Sequence, residues 1–241
     1  MCAHAIQGEA SDSVNKKHTV RAFEEALSGV RTDLLRMGRL TLEQLVAAAA
    51  LFDENAGPID ASSIGAADDR VDDLDEKIER EVQRILVLRQ PMADDLRLLL
   101  SFDRISTDLE RIADHAKNIA HRAVYVRKHG TPVDISRTRK LAAQVIEQLD
   151  AVLAAVAAGD AGAARVVWQQ DEVIDRLYEE TFNDQLETLC QTPSAAVTCT
   201  NLLFIAKALE RVGDHVTNIA EDLVYWVTAE RMQKRVTGVS I

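Results

Sequence analysis

Residues 110–120 read ERIADHAKNIA, and residues 210–220 read ERVGDHVTNIA. Glu, Arg, Asp, His, Asn, Ile and Ala recur at seven of the eleven positions with a constant offset of 100, which marks an internal duplication. Around the first copy, Leu98, Phe102, Ile105, Leu109, Ile112, Ala116 and Ile119 fall three or four residues apart. Around the second, Ile205, Leu209, Val212, Val216, Ile219 and Leu223 do the same. That period places the apolar residues on one stripe of a helix, so both copies are amphipathic helices.

Working outward, a looser match links Asp68-x-x-Val71-Asp72-x-Leu74 to Asp171-x-x-Ile174-Asp175-x-Leu177. Breaks fall near Gly57-Pro58, Gln90-Pro91, Gly130-Thr131-Pro132, Gly159-Asp160 and Thr192-Pro193. They predict six long helices over residues 19–54, 62–89, 93–129, 133–158, 161–190 and 195–234. Short connections make sequential helices antiparallel neighbours. The expected fold is all-α: two pseudo-symmetric antiparallel three-helix bundles, residues 18–130 and 131–241, behind an unpatterned tail at 1–17.

Composition agrees. Aromatic residues make up 4% of the 241 and there are only 4 prolines, too few aromatics and turn-formers for a sandwich or barrel. The net charge of −11 repels phosphate backbones and anionic lipid, so nucleic acid is not an expected partner. Cys2, Cys190 and Cys199 form no CxxC pair and fit a reducing compartment. Residues 1–13 have neither a basic nor an apolar region of a signal peptide. An uninterrupted apolar run such as Val46 to Phe52 is far shorter than the roughly 20 residues of a membrane span. A cytoplasmic protein without direct membrane insertion is the expectation.

Each copied segment carries acids spaced i, i+4: Asp68/Asp72, Glu110/Asp114, Asp171/Asp175 and Glu210/Asp214. Such residues share a helix face, where like charges repel by roughly 0.2–0.5 kcal/mol. Asp72 and Glu110 each lie 19 residues from Pro91, and Asp68 and Asp114 each lie 23 from it. About Pro193 the distances are 18 and 17 for Asp175 and Glu210, then 22 and 21 for Asp171 and Asp214. Equal distance from an antiparallel turn means equal height, so four carboxylates converge in each hairpin. Oxygen-rich clusters of this kind hold Mg, Ca, Mn or iron. Since Glu110, Asp114 and Asn118 lie opposite the apolar stripe of their helix, the metal sites are expected on the bundle surface. Asn118 and Asn218 are candidate outer-shell carbonyl donors. His115 and His215 are read as packing or hydrogen-bonding residues, Arg111 and Arg211 as counter-charges, and Trp168 and Trp226 as packing residues.

The sequence contains no Glu-x-x-His, P-loop, GxGxxG, GxSxG or HExxH motif, so no catalytic residue or organic cofactor is expected and an enzyme is the weaker reading. A purely structural helical adaptor with solvated acidic faces is one alternative. A carboxylate-metal hydrolase is another.

Two three-helix repeats with E(D)xxxD motifs, RQPMADDLR before the first copy and ALERVGDHVTNIAE in the second closely resemble the PhoU family. These are accessory regulators of the phosphate-specific transport system. The resemblance spans about residues 19–230. It implies a non-enzymatic homodimer binding metal clusters, of iron or zinc in some members and Mg or Mn in others. The implied ligands are Asp68, Asp72, Glu110, Asp114, Asp171, Asp175, Glu210 and Asp214. It further implies a negative regulator of phosphate uptake and starvation signalling, linking the ATPase subunit of a phosphate ABC importer to a sensor histidine kinase. The chain departs from this pattern at Ala113, where the second copy has Gly213, and at Asp103 and Thr107, matched by Leu203 and Lys207.

Overall fold

The computed structural model of the chain describes the backbone of residues 6–52 and 61–232, with side chains over 21–52 and 66–232. Among the described residues seven α-helices follow in order: α1 (Ile6–Ala50), α2 (Ala61–Arg89), α3 (Asp94–His129), α4 (Ser136–Ala158), α5 (Ala161–Gln169), α6 (Asp171–Gln191) and α7 (Ala196–Thr228). A 3₁₀ turn at Pro193–Ala195 leads into α7. No strand occurs among the described residues, and the chain is an all-α duplication of three-helix units, as the repeat implies.

The boundaries differ from the sequence reading in three places. The first helix runs back to Ile6, into the stretch read as a tail. The helix read over 161–190 is two helices, α5 and α6, interrupted at Gln170. There the Gln170 carbonyl accepts from Gln148 Nε2 of α4 at 3.0 Å and from Val173 N at 3.0 Å, a three-residue return in place of the four-residue helical bond. The last helix ends at Thr228, where Ala229 takes a left-handed conformation (φ 61°). The expected break at Gly57-Pro58, and Cys2, lie outside the described residues.

Local chemistry fixes several ends. Gly159 (φ 66°) closes α4, and the Asp160 carboxylate caps α5 by accepting from Gly162 N at 2.8 Å and Ala163 N at 3.0 Å. Asp94 and Asp95 open α3, and Arg127, Lys128 and His129 close it, each sign matched to the helix dipole. Between α3 and α4, the Thr131 amide donates to Thr198 Oγ1 at 2.8 Å, which donates back to the Thr131 carbonyl at 3.0 Å. This pins the link between repeats to the start of α7.

The expectation that every sequential pair of helices packs side by side fails once. Helices α3 and α4 make no contact; α3 lies instead along α7, the most extensive helix pair in the molecule. The two are antiparallel, because Arg104 meets Asp222 near one end and Arg122 meets Phe204 near the other. Leu99, Phe102, Ile105, Leu109 and Ile112 of α3 are buried, as are Leu202, Ile205, Leu209 and Val212 of α7. Burying each such side chain stabilises the fold by about 1.5–3 kcal/mol. Trp226 closes the end of this core, edge-on to Phe102 at 5.3 Å.

Around this central pair, α1 packs on α2, α3 and α4, while α4, α5 and α6 pack on α7. Arg31 Nη2 donates to the Ala157 carbonyl at 2.7 Å, and Arg139 Nη2 to that of Phe52 at 2.6 Å, tying α1 to α4. By length and composition α4 is apolar enough to cross a membrane, although no single uninterrupted run in it is. Its Leu141, Val145, Leu149 and Val152 are fully buried against the neighbouring helices, which accounts for its apolar character.

Candidate functional site

The first carboxylate group lies in the seam between α2 and α3. Asp68 is buried (2% exposed), a correction to the expectation of wholly surface sites. It reaches inward because Val71 and Leu74, three and six residues on, carry the buried face of α2. The Lys117 ammonium of α3 pairs with its Oδ2, and Gln44 Nε2 of α1 approaches its Oδ1 at 3.4 Å. Asp72, one turn further along α2, is exposed. Arg111 Nε lies 3.2 Å from Glu110 Oε2, and its Nη1 lies 3.6 Å from Asp114 Oδ2, the neutralising role expected of it.

These acids sense one another. Burial, then Asp68 and Asp114, push the Asp72 carboxyl above its ordinary range. Burial raises Glu110 against the opposing Arg111, and Asp114, Asp72 and Asp75 add to the rise. Asp103 is raised by burial and by Glu79 and Asp75. The seam therefore extends beyond the four predicted residues to Asp75, Glu79 and Asp103. Asp75 also accepts a hydrogen bond from Ser106 Oγ. Asp68, Asp72, Asp75 and Glu79 recur at spacings of four, three and four. That helical spacing carried the signal for the two additional acids of α2.

The second group occupies the seam between α6 and α7. Asp171 accepts from Thr217 Oγ1 at 3.0 Å, and Lys207 Nζ lies 2.6 Å from Glu210 Oε2. Burial raises the Asp175 carboxyl, with Asp171, Glu210 and Glu179 adding and Lys207 opposing. Asp214 is exposed on α7. In both seams, carboxylates from two adjacent helices lie within electrostatic range of one another.

The duplication exchanges a lysine for a threonine at each end of the seams. Lys117 on Asp68 corresponds to Thr217 on Asp171, and Lys207 on Glu210 corresponds to Thr107, which donates to the Asp103 carbonyl at 3.1 Å. Among the described residues, each seam thus has one ammonium paired with a carboxylate, at opposite ends. Among the described residues, no three His, Cys, Asp or Glu side chains are arranged to close on one ion. The donor set nevertheless fits a divalent cation: it is all oxygen, and its mutual repulsion is what a cation relieves.

A third feature lies between α3 and α7. A groove of about 450 Å³ is lined by Arg111, Asp114, His115, Asn118, Arg211, Asp214 and His215. The His115 and His215 rings lie 5.8 Å apart. His215 Nδ1 is 2.7 Å from Asp108 Oδ1, and Asn218 Nδ2 donates to the same oxygen at 3.3 Å. Asn218 therefore engages Asp108 in an adjoining cleft that Asp103, Glu221 and Asp222 also line, whereas Asn118 lines the groove of the two histidines. Burial, the neighbouring His215 and the Arg211 guanidinium hold His115 below the ordinary histidine range. Sequence reading gave these histidines packing and hydrogen-bonding roles but did not single out Asp108, whose importance depends on how two distant helices meet. Trp168 donates Nε1–H to Glu221 at 2.9 Å.

The model of the PhoU domain matches the chain twice, over residues 34–123 and 138–223. A phosphate-specific transport system accessory protein PhoU homologue of Caulobacter vibrioides is 36% identical over 217 residues, covering 90% of this chain and 94% of the relative. The homologue from Zymomonas mobilis is 38% identical over 222 residues, covering 92% and 93%. The crystal structure of PhoU from Pseudomonas aeruginosa superposes with a TM-score of 0.81 at 34% identity, covering 86% of this chain and all of that one. That of the phosphate transport system regulatory protein PhoU from Streptococcus pneumoniae gives 0.76 at 27% identity, covering 88% and 99%. With both repeats matched and relatives aligned along nearly their whole length, the chain belongs to the PhoU family.

Proposed function

We propose that this protein is a cation-binding accessory regulator of phosphate-specific transport, acting by association and not by catalysis. The observation that carries the reading is the duplicated seam, in which Asp72, Glu110 and Asp175 are raised by burial and further by neighbouring carboxylates, some of them from the adjacent helix. The printed names of the relatives place them in phosphate-specific transport systems. Asp68, Asp72, Glu110 and Asp114 would hold cations in one seam, and Asp171, Asp175, Glu210 and Asp214 in the other. Iron, zinc, magnesium and manganese are the candidate ions. A bound cation would supply charge neutralisation and a cross-link between adjacent helices.

Lys117 and Lys207 provide that neutralisation by themselves at Asp68 and Glu210. Cation loading and lysine pairing therefore compete, and the exposed face of each seam differs between the two states. Such a difference can be read by partners: the ATPase subunit of a phosphate ABC importer and a sensor histidine kinase, in the cytoplasm, with the regulator as a homodimer. The expected outcome is repression of starvation genes and restrained uptake. Co-purification of the full-length protein with these two partners, before and after chelation, tests the reading. Capture that depends on a divalent ion supports it. Failure to capture either partner in both conditions contradicts it.

A further inference from the structure

Along the α3–α7 contact the duplication places the same His and Asn pair twice, but only one pair has a carboxylate partner. Residue for residue, α3 positions recur in α7 at the offset of 100, and the His115–His215 contact maps onto itself. In one half, the Asp108 carboxylate is held by His215 at 2.7 Å and Asn218 at 3.3 Å. In the other half the same two side-chain types stand ready as His115 and Asn118. Where Asp108 would recur, the chain has Ala208.

The surroundings differ in the same sense. Asp108 lies in an adjoining cleft with Asp103, Glu221 and Asp222, where Arg104 is bonded to Asp222 at 3.2 Å. The counterpart of the Arg104–Asp222 pair is Phe204 with Arg122, whose guanidinium lies 4.2 Å over the ring. One half therefore has its own anion and acidic neighbours. The half around Ala208 lacks that anion and has a cation where its twin has Asp222. Arg211 lines the same groove as His115, and among the described residues it makes no ion pair. Arg111 is engaged by Glu110 and Asp114. Asp114 and Asp214 also line the groove, yet His215, next to Asp214 in the chain, already holds the Asp108 carboxylate.

We propose that His115 and Asn118, with Arg211 beside them in the groove, bind a small oxyanion where the repeat puts Ala208 in place of the Asp108 carboxylate of the twin. The ring N–H, the amide N–H and the guanidinium supply donors of the kinds that hold such anions. A free tetrahedral oxyanion fits better than a docked acidic side chain, because it offers separate oxygens to the imidazole, the amide and the guanidinium, whereas a carboxylate has two. The site borders the carboxylate seams through Asp114 and Asp214, but none of its donors is a carboxylate proposed to hold a cation.

Inorganic phosphate and, separately, sulfate would be titrated into chelator-stripped full-length protein at fixed pH, by calorimetry and by amide NMR shifts. Wild type is expected to bind one phosphate per chain, with the largest shifts at residues 115–118 and 208–211. Ala208→Asp fills the site with its own carboxylate and is expected to weaken binding at least tenfold. Arg211→Gln is expected to weaken it several-fold. Asp108→Ala empties the twin and is expected to raise the stoichiometry from one to two. Circular dichroism checks that each variant is folded, and loss of fold in one substitution leaves the wild type and the other variants to decide. Equal binding of sulfate supports an oxyanion site. Absence of phosphate binding at millimolar concentration, shifts confined to the α2–α3 or α6–α7 seams, unchanged affinity in folded Ala208→Asp, or a response to an acidic peptide alone would each overturn it.

Discussion

Gly213 of α7 lies against Ile174 of α6 so closely that a Cβ at position 213 would stand 2.9 Å from Ile174 Cδ1 and 3.0 Å from its Cγ2. The repeat counterparts are Ala113 and Val71, both fully buried. One repeat uses the smaller residue on the last helix and the larger on its partner, and the other repeat reverses the choice. The departure at position 113 is thus a volume exchange across the helix pair, of the kind cores tolerate.

Gly213→Ala is therefore expected to destabilise the protein by about 1–2 kcal/mol, overpacking outweighing the helix-propensity gain of up to about 1 kcal/mol. Ile174→Val removes the Cδ1 methyl and is expected to cost about 1 kcal/mol alone. Combined, the two recreate the pairing of the first repeat, and the double variant should approach wild-type stability. Urea denaturation of all four proteins measures the coupling, and strict additivity would refute the exchange.

Asp108 holds α3 to α7 through His215 and Asn218. Asp108→Ala leaves both donors without their shared acceptor in a half-buried groove, and should lower stability by about 1–2 kcal/mol. His115→Gln, on the half without an internal carboxylate, should cost less. Comparison of their denaturation midpoints at one pH checks the ranking.

Asp222 gives the clearest pH dependence. Its carboxyl is pushed up to about 6 by burial, against the opposing Arg104, with Asp108 and Glu221 adding. An acid whose folded pKa exceeds its unfolded one binds more protons when folded, so stability falls as pH rises from about 4 to 6 and stays reduced above it. With the side chain 15% exposed, the shift from 3.8 corresponds to at most about 3 kcal/mol. Asp222→Asn should be more stable than wild type at pH 7.5, with the advantage vanishing below pH 4. Thermal melts across that range decide the matter, and a constant difference at all pH values would refute the assignment.

Lys117 is the counter-ion of a buried carboxylate, so its removal acts through Asp68. Lys117→Met should destabilise the cation-free protein by about 1–2 kcal/mol, a figure lowered because the lysine is 37% exposed and partly screened. Adding manganese or zinc should restore more stability to this variant than it adds to wild type. Equal metal-induced shifts in melting temperature would show that lysine and cation do not compete.

Much of the fold was legible because it repeats. The offset of 100 identified the duplicated helices, and the equal distances of Asp72 and Glu110 from Pro91 placed acids from two helices at one height. The break at Gln170 was hidden because no Pro or Gly marks it; it depends on Gln148 reaching that carbonyl from another helix. The burial of Asp68 was missed because the apolar stripe describes one helix alone, whereas Lys117 and Gln44 enclose it from two others. The partnership of Asp108 with His215 required knowing that α3 runs along α7 and not α4, a choice that loop length does not reveal.

The central claim is that each carboxylate seam binds a divalent cation. Calorimetric titration of chelator-stripped protein with manganese and with zinc tests it most directly. Binding at both seams is predicted. Asp72→Asn with Glu110→Gln should abolish the α2–α3 component alone, and Asp175→Asn with Glu210→Gln the α6–α7 component alone. Absence of binding in wild type, or binding unchanged when all four residues are replaced, would contradict the account.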